Sequence, residues 1–249
     1  MKKYIYPVFI FSIVLSFAVE TNAQNFGFGC LGLSGIYGGY SIQQYDAAGL
    51  NQSIENYFQN LGIANPEMDF NEGQGFRVGG NIFRAKFANF FLTLKGFYQF
   101  LSEEQKTSGQ TDTGVLSSTC TLELNHWGVG VDVGFPLLQG FIDLKLAEGG
   151  VLFYSTKFKI ESSLDNVANP DVKYKESDTN MGYYVGTGLI IHLIPNYVSL
   201  EGTAMYNFMK VENLSGDDGS IFPGSAVDKN FVEAGKLAAA VQLNIGFPL

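Results

Sequence analysis

Eight runs of alternating apolar and polar residues, each with an aromatic near both ends, follow one another between residues 24 and 249, and the breaks between them alternate in length. Short breaks fall at 88–89, 136–139 and 195–196; long ones fall at 41–73, 103–117, 161–179 and 213–229. A side-chain period of two over so many residues belongs to strands and not to helices. In hydrocarbon every backbone N–H and C=O must find a partner inside the protein, which for strands requires a closed cylinder. The expected fold is therefore all-β: an eight-stranded antiparallel transmembrane β-barrel with short periplasmic turns, long outer loops and a helix in the first outer loop. Ten strands are the alternative if part of that loop adds a hairpin.

The third run carries the clearest alternation. Phe90, Leu92, Leu94, Gly96, Tyr98 and Phe100 share a lipid face, and Phe91, Thr93, Lys95, Phe97 and Gln99 share a lumen face. The sixth, seventh and eighth runs repeat it, with Tyr183, Val185 and Leu189, then Val198, Leu200 and Tyr206, then Leu237, Val241 and Leu243 turned outward. In the second run Phe76, Val78 and Ile82 are outward, against Arg77 and Asn81. The fourth run changes phase near Asn125 and His126, which a β-bulge would repair. In the fifth, unbroken alternation would aim Glu148 at lipid, so a bulge or the membrane boundary is expected there.

Two lysines, Lys2 and Lys3, precede an apolar stretch over 5–19 and the small residues of Thr21, Asn22 and Ala23. That is the pattern of a secretory signal peptide over 1–23, with the barrel domain over 24–249 and a route through the inner membrane to a Gram-negative type outer membrane. No later run is apolar enough for a helical span. A net charge of −9, made one unit more acidic when the signal leaves, argues against nucleic acid, whose phosphates call for basic stripes. Cys30 and Cys120 sit in an oxidising compartment, but opposite ends of different strands place them too far apart for a disulfide.

Aromatics bracket the runs as interfacial girdles do. The pairs are Phe28 and Tyr37, Phe76 and Phe87, Phe90 and Phe100, Trp127 and Phe135, Phe141 and Tyr154, and Tyr197 and Phe208, spaced 8 to 13 residues apart. With these features the chain resembles the small outer-membrane barrels of the OmpA and OmpX type over nearly all of 24–249. The terminal Val241, Leu243, Ile245 and Phe247 match the in-phase closing strand of those proteins, although Pro248 and Leu249 follow the aromatic here. The resemblance implies recognition of that strand by the barrel-assembly machinery. It is one of architecture, so it carries no binding residue across.

A barrel of eight strands is just wide enough for side chains to fill it. Arg77, Lys95, Lys145 and Lys236 are the expected inward cations, and Asp132, Asp143 and Glu201 the inward anions, near enough in number to form a closed ion network. Small inward residues (Ala238, Ala240, Gly186 and Gly188) beside Met205, Met209, Phe97 and Tyr184 suggest a second possibility, a pocket for a small apolar ligand. In the first outer loop Leu50, Ile54, Phe58 and Leu61 form an apolar helical stripe, with Asp46 to start it and Gly62 to end it, and this helix is expected to cover the barrel mouth.

Chemistry is sparse. His126 and His192 lie on different strands with no local nucleophile or acidic cluster, so neither a catalytic triad nor a metal site is expected, and no cofactor. The function expected is structural or interactive: membrane lipids as the surroundings, an external ligand at the loops as a further partner. A narrow porin or carrier is the alternative, and a lipid-modifying enzyme the weaker one.

Overall fold

The computed structural model describes residues 34–64, 66, 68–87, 89–176, 180–195, 197–222 and 230–246. The signal peptide, Phe28, Cys30 and the closing Phe247 lie outside the described residues. The strands are β1 Gly35–Asp46, β2 Glu72–Lys86, β3 Phe91–Thr111, β4 Gly114–Leu138, β5 Ile142–Leu164, β6 Val167–Ala168, β7 Val172–Lys175, β8 Asn180–Ile194, β9 Val198–Phe208, β10 Leu214–Gly216, β11 Ile221–Phe222 and β12 Ala234–Gly246. Among the described residues one helix, α1, spans Ala48–Asn60.

Eight strands pair antiparallel around a closed ring: β1, β2, β3, β4, β5, β8, β9 and β12, with β12 returning to β1. Closure leaves no sheet edge in the ring, so each strand's backbone is satisfied by its neighbours. The other four strands stand outside the ring. They hang from the upper half of β5, which gives up β8 and pairs instead with β7, followed by β10 and β11. Ring strands thus number eight, and the loops at 103–117 and 161–179 are largely strand: β3 and β4 continue as one hairpin to Thr111 and Gly114.

The strands are long because they change surroundings part-way. On β4 the even positions face inward from Leu116 to Gly134, and pairing with β5 runs unbroken from Leu116↔Leu164 to Val133↔Ala147. There is no bulge at Asn125 and His126. What changes is polarity. Above His126 the inward residues are Leu116, Cys120, Leu122 and Leu124 with Ser118 among them, while Ser117, Thr119, Thr121, Glu123 and Asn125 face out. Below it the outward residues are Trp127, Val129 and Val131, and the inward ones include His126 and Asp132. Strand β5 inverts at the same register: Phe153 is outward and exposed, then Ser155, Lys157 and Lys159 are outward, over buried Phe158 and Ile160. Apolar-out with polar-in suits lipid, and polar-out with apolar-in suits water, so one strand pair crosses from membrane to solvent without losing step.

Aromatic contacts mark that crossing. Trp127 is 63% exposed and lies 4.7 Å from Tyr98, which lies 4.6 Å from Phe100; Tyr40 meets Phe76 at 6.0 Å and Tyr206 meets Phe208 at 4.9 Å. At the opposite end Phe87 stacks on Phe90 at 4.2 Å. Tyr37 and Tyr154 are not girdle residues. Both point into the lumen, where the Tyr37 hydroxyl donates to the Gly96 carbonyl at 3.3 Å and Tyr154 packs against His126.

Above the crossing a second core closes the ring. Helix α1 buries Leu50, Ile54 and Phe58 completely, in one cluster with Phe70, Leu122, Leu124, Phe158, Phe231 and Val232. Each such side chain contributes about 1.5–3 kcal/mol on burial. The Asp46 carboxylate accepts the Ala48 N–H at 3.3 Å, and Gly62, at φ +90°, ends the helix. That turn carries Leu61 outward, to 43% exposure, and Ile63 takes the buried place expected for it.

Candidate functional site

Three inserted residues decide which charges reach the lumen. In β5 the register slips between Lys145 and Glu148, so Leu146 and Ala147 both face out and Glu148 turns in. A bulge at that point removes a carboxylate from lipid, as the sequence demanded. In β2 the slip between Asn81 and Phe83 sets Arg84 opposite Thr93 and Lys86 opposite Phe91, two lumen-facing residues. In β12 the slip opposite Gln43 and Tyr45 has the reverse effect. It takes Lys236 out of the inward phase, leaving its side chain 46% exposed and 3.5 Å from Asp46 at the rim, so Lys236 is not a lumen cation.

The other expected charges are buried and in contact or close to it. Lys95 Nζ lies 2.6 Å from Asp132, 3.1 Å from Glu148 and 3.6 Å from Glu201. Lys145, with no exposed side-chain surface, bonds Glu201 at 2.5 Å, the Thr203 hydroxyl at 3.2 Å, and Glu148. Glu201 also accepts from Asn244 at 3.1 Å, and the Tyr184 hydroxyl donates to Glu148 at 3.2 Å. Two ammonium groups therefore sit among three carboxylates. Arg77 stands one level above. Its guanidinium lies 4.2 Å from the centre of the Phe97 ring, its Nε donates to Gln99 at 2.7 Å, and its Nη2 reaches the Met205 sulfur at 3.5 Å.

The inward glycines are room for rings. A Cβ on Gly128 would lie 2.2 Å from Phe97 Cζ, and one on Gly130 would lie 1.9 Å from the Tyr184 hydroxyl. Opposite Gly186 the space is taken by Met205 Cγ, 2.8 Å from where a Cβ would stand. Small residues and large ones interdigitate here, so the space suggested for an apolar ligand is filled with the protein's own side chains.

Above these layers His126 is sandwiched between Phe97 and Tyr154, its Nδ1 3.3 Å from the Leu124 carbonyl. His192 Nε2 lies 2.8 Å from Asp143 near the short turns. Ser199, its partner across the strands, is held by Asn244 at 3.3 Å. In the outer core, burial pushes the Cys120 thiol up to about 12, and burial beside the Glu103 carboxylate holds the Tyr45 hydroxyl far above the ordinary phenol range. Among the described residues no three His, Cys, Asp or Glu side chains gather as metal ligands would.

No family model and no curated protein sequence matches the chain. Among solved structures it is similar to Ail, the attachment invasion locus protein of Yersinia pestis, solved with the heparin analogue sucrose octasulfate: 13% identity, TM-score 0.38, covering 86% of this chain and 97% of that one. It is similar also to Neisserial surface protein A, at 9% identity and TM-score 0.38 over the same shares. Likeness at that level assigns no role to a residue.

Proposed function

We propose that the protein is an integral outer-membrane barrel with a structural or surface-interaction role, closed to solutes along its axis, and not an enzyme. One observation supports this most: the lumen is filled from the ion cluster through the Arg77, Phe97 and Tyr184 layer to the apolar core under α1. The strands that rise above the lipid belt offer water-facing Ser, Thr, Lys and Glu side chains to outside molecules. An external ligand at this outer end, membrane lipids around the belt and the assembly machinery at β12 are the partners that follow. The signal peptide supplies the route to that membrane, and α1 serves as a fixed cover for the mouth.

Planar bilayers test the closed axis. Reconstituted protein is expected to give no steady conductance, and deletion of 46–62 is expected to leave it silent, because the ion cluster lies below the helix. Regular single-channel steps from the intact chain would replace this proposal with a narrow pore or carrier.

A further inference from the structure

At the outer rim of the lipid belt the sheet opens for two residues. Pairing of β3 with β4 stops at Gln99↔His126 and resumes at Ser102↔Glu123 without a change of register. Between them the Leu101 N–H donates to the Asn125 side-chain oxygen at 3.1 Å, and the Asn125 amide nitrogen donates to Glu123 at 3.3 Å. Asn125 thus closes the gap with one end of its amide and holds a carboxylate with the other. The outer surface here carries a groove of about 490 Å³ across β1 to β4. Exposed Tyr40, Phe76 and Phe100 form its lower part, and Gln74, Ser102 and Glu123 its upper rim.

The rim residues share one register row. Gln74 pairs with Ser102 and Ser102 with Glu123, so an amide, a hydroxyl and a carboxylate stand one strand spacing apart, ~4.8 Å. Each lies two residues past the last belt position on its strand, beyond Phe76, Phe100 and Asn125. Two residues of a strand tilted by ~40° rise ~5 Å, and the headgroup layer outside the hydrocarbon is about 5–7 Å deep. The row therefore stands at headgroup depth, and the aromatics stand at the top of the acyl chains. The Gln74 oxygen accepts from the Tyr40 hydroxyl, which leaves its NH2 as a donor. Glu123 has no cation within ion-pair distance among the described residues, and Lys157, its register partner on β5, is not part of the groove.

We propose that this groove holds one outer-leaflet lipid with a primary ammonium headgroup, of the ethanolamine phospholipid class. The ammonium sits on Glu123, the phosphate accepts from Gln74 and Ser102, and an acyl chain lies against Tyr40, Phe76 and Phe100. Charge decides the class. The lining holds a carboxylate and no lysine or arginine, so a lipid of net negative charge is repelled. A primary ammonium gives that carboxylate a charge-assisted hydrogen bond, whereas a quaternary one has no N–H to give. The inference rests on the outer-membrane reading above and picks out one lipid from those around the belt.

Trp127 reports on the groove, since it stands two residues below Asn125 on the same strand face and packs on Tyr98, the neighbour of Phe100. The full chain is reconstituted in phosphatidylcholine vesicles in which a small fraction of the lipid is chain-brominated phosphatidylethanolamine, phosphatidylcholine or phosphatidylglycerol, all with the same acyl chains. Loss of fluorescence gives their relative affinities. The ethanolamine lipid is expected to be favoured over the choline lipid by about two- to fivefold, the worth of one exposed charged contact, and the glycerol lipid to be the weakest. E123Q is expected to bring the ethanolamine lipid to the choline level, and K157Q to keep the preference. Compact migration of each unheated variant on detergent gels shows that it is folded. A preference that survives E123Q or is lost in K157Q, or a glycerol lipid held as well as the ethanolamine one, would overturn the site. Strong but equal quenching by all three lipids would overturn the groove alone, whereas weak quenching by all three would overturn the outer-membrane reading along with it.

Discussion

Replacing Lys145 with methionine isolates what the lumen cluster does for stability. The ammonium has no exposed side-chain surface and bonds Glu201, Glu148 and Thr203. Methionine has similar volume and no charge, so packing is kept while Lys95 is left alone among Asp132, Glu148 and Glu201. Removing one partner of a buried ion pair costs about 3–5 kcal/mol, since the desolvated opposite charge stays behind. E201Q should behave differently. It leaves two lysines facing two carboxylates, and the amide oxygen at the Oε1 position still accepts from Lys145, while the amide NH2 replaces the oxygen that accepted from Asn244, so one hydrogen bond is lost and the cost should be about 1–2 kcal/mol. The double variant K145M/E201Q restores the wild-type excess of one carboxylate and should be less damaging than K145M alone, a coupling readable by a mutant cycle. Urea unfolding in phospholipid vesicles reports all three through the fluorescence of Trp127, the one tryptophan in the chain. A K145M loss below about 1 kcal/mol, or E201Q more damaging than K145M, would refute this electrostatic account.

Two further outcomes follow from packing. G128A would place a Cβ 2.2 Å from Phe97 Cζ, and Phe97 is pinned beneath Arg77 and against Tyr184, so a loss of about 1–3 kcal/mol is expected, with most of it recovered when Phe97 is also changed to Leu. Cys120, with its thiol pushed up to about 12, is almost wholly protonated at neutral pH. In a C30S background maleimide should label it at pH 8 only after unfolding; a folded-state rate close to the unfolded one would contradict the closed outer core, since only the thiolate reacts.

The ring was legible in the sequence wherever one face is apolar against lipid, as on β3, β8 and β9, because burial of alternate residues in two different solvents leaves a period that nothing else produces. The charges Lys95, Asp132, Asp143, Lys145 and Glu201 were legible for the same reason. Arg84, Lys86 and Glu148 were harder, since each lies past a bulge and a single inserted residue exchanges the two faces. A charge that would otherwise face hydrocarbon was the available signal: it exposed the slip before Glu148, and applied to Arg84 it would have exposed the one at Ile82. Asn125 and His126 misled because inverted polarity on an unbroken strand looks the same as slipped phase on a uniform one. Tyr37 and Tyr154 misled because an aromatic at the right spacing fits a girdle or a lumen equally; only the glycine opposite, Gly79 for Tyr37, tells them apart.

If the polarity inversion on β4 is the outer boundary of the bilayer, tryptophan fluorescence must change its quencher across a few residues of one strand face. In vesicles of lipids brominated along the acyl chain, Trp127 is expected to be strongly quenched. A tryptophan placed six residues up the same face, by T121W with W127F, is expected to escape bromine and to be quenched by aqueous acrylamide instead. Equal quenching of both positions by brominated chains would mean that the membrane covers the upper barrel as well, and the division into a lipid belt and a water-facing outer core would be wrong.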